Sequence, residues 1–178
     1  MTCFRHPKIS NFPFLSYKKE KLQVGDWLSI VIRRVTVNDL ERLCEIEREC
    51  FTVEAFTKEQ IRFLLDDQNA VGLIALLGDE VAGFIIGLIH HHDKTRSGHV
   101  CTIDVAVKHR RKGVGLKLLN ELEKAFVRIG VKTCYLEARV DNVAAHKLYR
   151  KQGYVEVERL KNYYHAGIHG ILFAKRLS

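Results

Sequence analysis

His99 to Leu119 reads HVCTIDVAVKHRRKGVGLKLL, and three kinds of local chemistry follow one another in it. Val100, Ile103, Val105 and Val107 crowd β-branched residues together as a strand does. His109, Arg110, Arg111 and Lys112 then lead into Gly113-Val114-Gly115. After them Leu116, Leu118, Leu119, Leu122, Ala125 and Phe126 recur at helical spacing. A strand that turns through glycines into a helix N-terminus makes an anion site. The glycines let backbone come close, the first-turn N–H groups point outward, and the helix dipole favours negative charge. The stretch therefore predicts a turn that holds the pyrophosphate of a nucleotide-like cofactor.

The rest of the composition frames that reading. A chain of 178 residues with 47% hydrophobic content is long enough for one domain with a sizeable core. Lys and Arg number 29 against 21 Asp and Glu, a formal charge of +8. An anionic partner follows: cofactor phosphates, nucleic acid or an acidic protein. The five cysteines (Cys3, Cys44, Cys50, Cys101, Cys134) are widely spaced with no C-x-x-C pair. Buried, reduced thiols are expected, not a zinc ribbon or a redox site. No apolar run reaches roughly 18 residues, and Met1 to Trp27 lacks a sustained apolar core. A soluble, cytoplasmic protein without a membrane span is expected.

Residues 1–28 stand apart. They hold both prolines, Pro7 and Pro13, and the basic cluster Lys18, Lys19 and Lys21. They read as a basic arm, loosely held or docked through Phe4, Phe12, Phe14 and Leu15. The domain proper spans 29–178. Ser29 to Val37 alternates as a strand. Thr36 and Asp39 suggest a capping box before Leu40, Leu43, Ile46 and Cys50 at helical spacing. Cys50 to Phe56 interrupts that helix, and Thr57 with Gln60 opens another. Val71 to Leu77 and Val81 to Ile89 form a hairpin about Gly78-Asp79-Glu80. The run His90-His91-His92-Asp93 is read as a solvated loop tip and not as a metal site, since no second ligand pair stands at a suitable spacing. Thr133 to Val140 is a strand, and Asn142 to Lys151 a helix opening on a capping asparagine. Val155 to Leu160 and Ile168 to Leu177 close the chain as a hairpin around Asn162-Tyr163-Tyr164. This order predicts an α/β architecture: a mixed sheet flanked by helices, with the glycine turn at a strand's carboxyl end.

Two of these segments together resemble one family. Arg110-Arg111-Lys112-Gly113-Val114-Gly115 is similar to the R/Q-x-x-G-x-G/A pyrophosphate loop of the GNAT superfamily of N-acetyltransferases. Asn142 to Tyr149, followed by Gly153-Tyr154, resembles its N-x-x-A-x-x-L-Y…G-F/Y signature. Within the superfamily, Cys50-Phe51, Tyr135 to Asn142 and Asn162-Tyr163-Tyr164 resemble protein N-terminal acetyltransferases, including the ribosomal-protein-alanine enzymes and their archaeal relatives. Two departures stand beside these matches. His165-Ala166-Gly167 follows the tyrosines where an acidic D-A pair is usual, and Lys108 replaces a proline often found before the basic turn.

The resemblance implies a single GNAT-like domain with a mostly antiparallel sheet and acetyl-CoA in the cleft between splayed central strands. The pantetheine arm would pair with the backbone of Val105, Ala106 and Val107. Arg110, Arg111, Lys112, Gly113, Val114, Gly115 and Leu116 would take the pyrophosphate, with Asn142 and Tyr149 beside the cofactor and no metal. A backbone N–H near Val105 would stabilise negative charge on the thioester oxygen during attack. The attacking amine must be neutral. An α-amino group, with a pKa of about 7.7–8.0, needs less help than a lysine at about 10.4. Glu137 is the candidate base, His99 a second candidate, and Tyr149 the acid for the departing thiolate. Phe51, Val53, Tyr163 and Tyr164 would meet the acceptor, a protein N-terminus on ribosomal or nascent chains.

Plainer readings compete. Glu137 could be a salt-bridged strand residue, Tyr149 a core tyrosine, His99 a strand-edge histidine, and Phe51 with Phe56 only core. Tyr163 and Tyr164, as neighbours on a strand, are expected on opposite faces. Two other functions also stand open: a GNAT enzyme for a protein lysine or polyamine, and a basic ribosome- or RNA-binding module.

Overall fold

The computed structural model describes residues 29–51, 55–92 and 95–178. The arm at 1–28, Val53 and Asp93 lie outside them. The chain runs β1 (Ile30–Arg34), α1 (Leu40–Cys50), α2 (Lys58–Asp66), β2 (Ala70–Leu77), β3 (Glu80–His92), β4 (Thr95–Val105), α3 (Val114–Arg128), β5 (Thr133–Arg139), α4 (Val143–Lys151), β6 (Val155–His165) and β7 (Ile168–Arg176). Among the described residues seven strands form one sheet in the order β1-β2-β3-β4-β5-β7-β6. Every neighbouring pair is antiparallel except β4 and β5. This is the mixed, mostly antiparallel α/β sheet that the sequence predicts.

The helices divide between two faces because each has one apolar stripe to bury. Leu118, Leu119, Leu122 and Phe126 of α3 join Val100, Leu136 and Phe173 in the core of one face. Leu43 and Ile46 of α1 and Ile61 of α2 pack with Ile74, Phe84 and Ile86 on the other. On the first face the sheet makes room for α3 with glycines. A Cβ at Gly98 would stand 2.4 Å from the Phe126 ring, and one at Gly87 2.6 Å from it. Both helix-starting boxes form. The Thr57 hydroxyl accepts from Gln60 N–H at 3.2 Å, and Gln60 Oε1 accepts from Thr57 N–H at 2.8 Å. Asp39 accepts from Thr36 N–H at 2.7 Å and also takes both arms of Arg33 at 2.7 and 2.8 Å. Those bonds hold its carboxyl down to about 2, with Arg33 the leading cause.

Three segments differ from expectation. β1 stops at Arg34, and Val37–Asp39 is a 3-10 turn, since the Arg33–Asp39 and Thr36–Asp39 bonds pull the chain round before the expected strand ends. His90, His91 and His92 are not a loop tip: they finish β3, opposite Ser97, Arg96 and Thr95, and all three are exposed. The β6–β7 hairpin turns at Ala166-Gly167, with Gly167 at φ +83°, not at the tyrosines. Asn162 sits inside β6 at φ +54°, a conformation asparagine tolerates better than most residues. Its N–H donates to His169 Nδ1 at 3.0 Å, and its Oδ1 accepts from Gly167 N–H at 3.0 Å. The register between Leu160 and His165 is broken there. Tyr163 and Tyr164 consequently do not stand on opposite faces: their rings meet edge to face, 5.1 Å apart.

Candidate active site

The site begins where the sheet comes apart. β4 and β5 pair only through Ser97–Val100 and Thr133–Leu136. Beyond that, β4 continues along β3 to Val105 while Glu137 to Arg139 of β5 pair only with β7. A β-bulge lies at the same level. Ile86 faces Thr102 and Gly87 faces Val100, so Cys101 is left without a partner. Before the bulge Gly98 and Val100 face α3; after it Ile103 and Val105 do. His99, Thr102 and Asp104 therefore all lie on the α1 side.

The glycine turn forms as the sequence predicts. Arg111 takes φ +64° and Gly113 φ +85°, the latter as the residue that caps α3. Lys117 N–H bonds back to the Gly113 carbonyl at 3.0 Å, so the N–H groups of Val114, Gly115 and Leu116 form the open first turn. Nothing lies within 4 Å of where a Gly113 Cβ would be, and the side chains of Arg110, Arg111 and Lys112 are exposed around it. Free donors, open space and three cations fit a pyrophosphate group. The adjoining strand end is pinned from α1. Cys50 Sγ and Arg110 Nε both donate to the Val105 carbonyl, at 3.5 and 3.2 Å, and Val107 N–H donates to Glu49 Oε2 at 3.2 Å. Ala106 is fully buried, with its N–H on the Ala82 carbonyl of β3. Asn142 caps α4, its side chain accepting from Ala145 N–H at 3.1 Å.

Across the divide, His99 Nε2 donates to Glu137 Oε2 at 2.7 Å. Glu137 is the first residue of β5 past the last β4 pair. The Cys101 sulfur, 4.0 Å from Nδ1, and the Glu137 carboxylate hold the His99 imidazolium up to about 10. The pair lies at one end of a cavity of about 640 Å³, floored by Ser97, Thr133, Tyr135 and Leu172 and rimmed by His90 and His92. Tyr149 of α4 does not line this cavity but packs in the core cluster on the α3 face. It is buried, with its ring 5.7 Å from Phe173 and 5.9 Å from Tyr154. Burial, then the charges of Tyr164, Asp104 and Glu137, push its hydroxyl pKa far up, so it keeps its proton. Tyr163 is half-exposed, and burial followed by the charge of Glu137 raises its pKa as well. Phe51 is half-buried at the end of α1, while Phe56 packs into the α1–α2 core.

One cluster escaped the sequence reading. Glu47 of α1 and Asp104 of β4 are 1% and 3% exposed. Thr102 Oγ1 donates to Asp104 Oδ2 at 2.6 Å and lies 3.5 Å from Glu47 Oε2, while Glu47 Oε1 accepts from Phe56 N–H at 3.0 Å. Burial and the neighbouring Asp104 push Glu47 up to about 9, and burial raises Asp104 too. The signal was a glutamate directly beside Ile46 on the apolar stripe of α1.

The family description Acetyltransferase (GNAT) family matches residues 40–154. An uncharacterized N-acetyltransferase of Methanocaldococcus jannaschii is 31% identical over 148 residues, 83% of this chain and 92% of that protein. An N-alpha-acetyltransferase of Sulfurisphaera tokodaii is 30% identical over 159 residues, 82% of this chain and 92% of that one. The structure of Arabidopsis thaliana NAA60 in complex with acetyl-CoA superposes with a TM-score of 0.75 at 23% identity, covering 84% of this chain and 99% of that one. With the splayed β4–β5 pair and the glycine turn that caps α3, these matches show that the chain belongs to the GNAT family of acetyltransferases, whose acetyl donor is acetyl-CoA.

Proposed function

We propose that this acetyltransferase transfers the acetyl group to the α-amine at a protein N-terminus, on ribosomal or nascent chains. The observation that carries the reading is the 2.7 Å pair of His99 and Glu137, set where β4 and β5 part and facing the cavity. The name of the Sulfurisphaera tokodaii relative, an N-alpha-acetyltransferase, supports it. Acetyl-CoA supplies the activated thioester. Arg110, Arg111, Lys112 and the first turn of α3 hold its pyrophosphate, and the chain from Val105, where β4 ends, to Val107 aligns the arm.

Glu137 then takes the proton of the incoming amine, directly or through one water. His99 is protonated at neutral pH and acts as the donor in the pair, so it orients the carboxylate and does not compete for the amine's proton. Tyr149 donates its proton to the departing thiolate and regains one from the proton that Glu137 takes off the amine, a return that its raised pKa favours. Tyr163, Tyr164 and Phe51 flank the acceptor. An α-amine, with a pKa of about 7.7–8.0, is partly neutral at physiological pH, whereas a lysine at about 10.4 is not, and one carboxylate suffices for the former. The setting proposed is the cytoplasm, with the basic residues of the 1–28 arm favouring ribosome association.

A peptide panel tests this. Each peptide is offered with a free N-terminus and, separately, with a blocked N-terminus and a free lysine. Acetyl transfer, read by mass spectrometry, is expected on the free α-amine. Transfer confined to the blocked, lysine-bearing peptides would overturn the reading in favour of a side-chain amine.

A further inference from the structure

The cavity that holds the His99–Glu137 pair is asymmetric in charge. Its end beside the β3–β4 hairpin is lined by His92, Arg96 and Lys132, whereas Glu137 is the one carboxylate among the described residues that line it. That carboxylate is already engaged by His99 at 2.7 Å. The His90 ring lies nearer the pair, 6.1 Å from that of His99, and burial lowers its pKa so that it is neutral at pH 7. Arg96 gives one N–H to the Ile129 carbonyl, which fixes the guanidinium at the rim with its other donors to spare. Lys132 is exposed immediately before β5. A polyamine or a lysine-rich tail entering here would meet like charge.

From Glu137 to Thr133 the floor follows four residues of β5, roughly 13 Å at about 3.3 Å per residue. An extended acceptor with its amine at Glu137 thus brings its second to fourth residues level with Lys132 and Arg96. We infer that the acceptor is a chain with Asp or Glu within positions two to four, recognised by Lys132 and Arg96 with the His92 ring beside them. This rests on the reading that a protein N-terminus is the acceptor, and it names the class of terminus. Charge complementarity selects the occupant: Lys132 and Arg96 meet no carboxylate but Glu137 among the described residues that line the cavity.

Three peptides with the same first residue and Glu, Gln or Lys at positions two to four supply the test, assayed for kcat/KM with the full-length enzyme. The expected order is Glu above Gln above Lys, with Glu over Lys by on the order of tenfold at low salt and less at high salt. In Lys132→Glu, and separately in His92→Glu, the order flattens or reverses. Both side chains are at the surface, so the fold is retained. Equal rates for Glu and Lys peptides overturn the inference and leave N-terminal transfer standing. An unchanged order in both variants also overturns it, because the preference would then arise elsewhere. Absence of transfer to any free N-terminus, with acetyl-CoA binding intact by calorimetry, removes the parent reading and this one together.

Discussion

Two carboxylate pairings on the same side of the sheet have opposite fates. Glu137 meets an imidazole, lies at a cavity, and forms an ion pair with His99 at 2.7 Å. Glu47 meets another carboxylate, is 1% exposed, and is held up to about 9. The residue type is the same, so the partner and the water decide. An opposite charge supports the imidazolium of His99; burial beside a like charge favours neutral carboxyls and raises both Glu47 and Asp104. The first arrangement leaves a carboxylate at the cavity, where an incoming amine can reach it. The second makes a strut: Glu47 links Thr102 of β4 to the Phe56 N–H.

Replacing Glu137 with Gln breaks the first pairing and carries the largest expected effect. Turnover should fall by about 10²–10⁴-fold while acetyl-CoA affinity stays within a few-fold, as steady-state rates and calorimetry will read. Wild-type turnover would remove Glu137 from the chemistry. His99→Asn comes next, with a loss on the order of tenfold in kcat, since the carboxylate survives without its orienting donor. The same variant changes stability with pH. A folded pKa of about 10 above the ordinary 6.5 means that the pair stabilises fully below pH 6.5, and that this contribution fades as pH rises toward 10. Thermal melts of His99→Asn should lack that decline.

Glu47→Gln sharpens the other half of the comparison and has the smallest effect. The folded carboxyl keeps its proton to about pH 9 while the unfolded one releases it near 4.5, so wild-type stability falls with rising pH across that window. Glutamine keeps an acceptor for Phe56 N–H without the ionisation. The variant should melt within a few degrees of wild type at pH 5 and gain on it steadily toward pH 9, with little change in turnover. Parallel melting curves would show that Glu47 is not the proton holder.

What could be read from the sequence were features with local causes. The basic glycine turn, the Thr57–Gln60 box and the Asn142 cap are decided within a few residues, and each stands where its spacing puts it. His99 and Glu137, 38 positions apart, could be set on facing strands only through the resemblance of their segments to the family. The pairing of Glu47 with Asp104 spans 57 positions and depends on which way β4 faces, which no short window contains. The tyrosines were misjudged because one asparagine at φ +54° undoes strand alternation. The three histidines were misjudged because exposure does not exclude strand: their pairing with Thr95 to Ser97 across the hairpin outweighs their poor apolar pattern.

The unpaired Cys101 has a consequence for how the chain can change. His99 and Asp104 are five positions apart, an odd number, so an unbroken strand would send them to opposite sides of the sheet. The extra residue acts as a parity switch, letting the segment that meets the acceptor and the segment that meets α1 look the same way. Loss of that single residue would turn one of the two segments over as a block. For the facing of the strand, substitution at Cys101 is tolerated and deletion is not: the count sets the parity, while the side chain bears only on His99, whose Nδ1 its sulfur approaches at 4.0 Å.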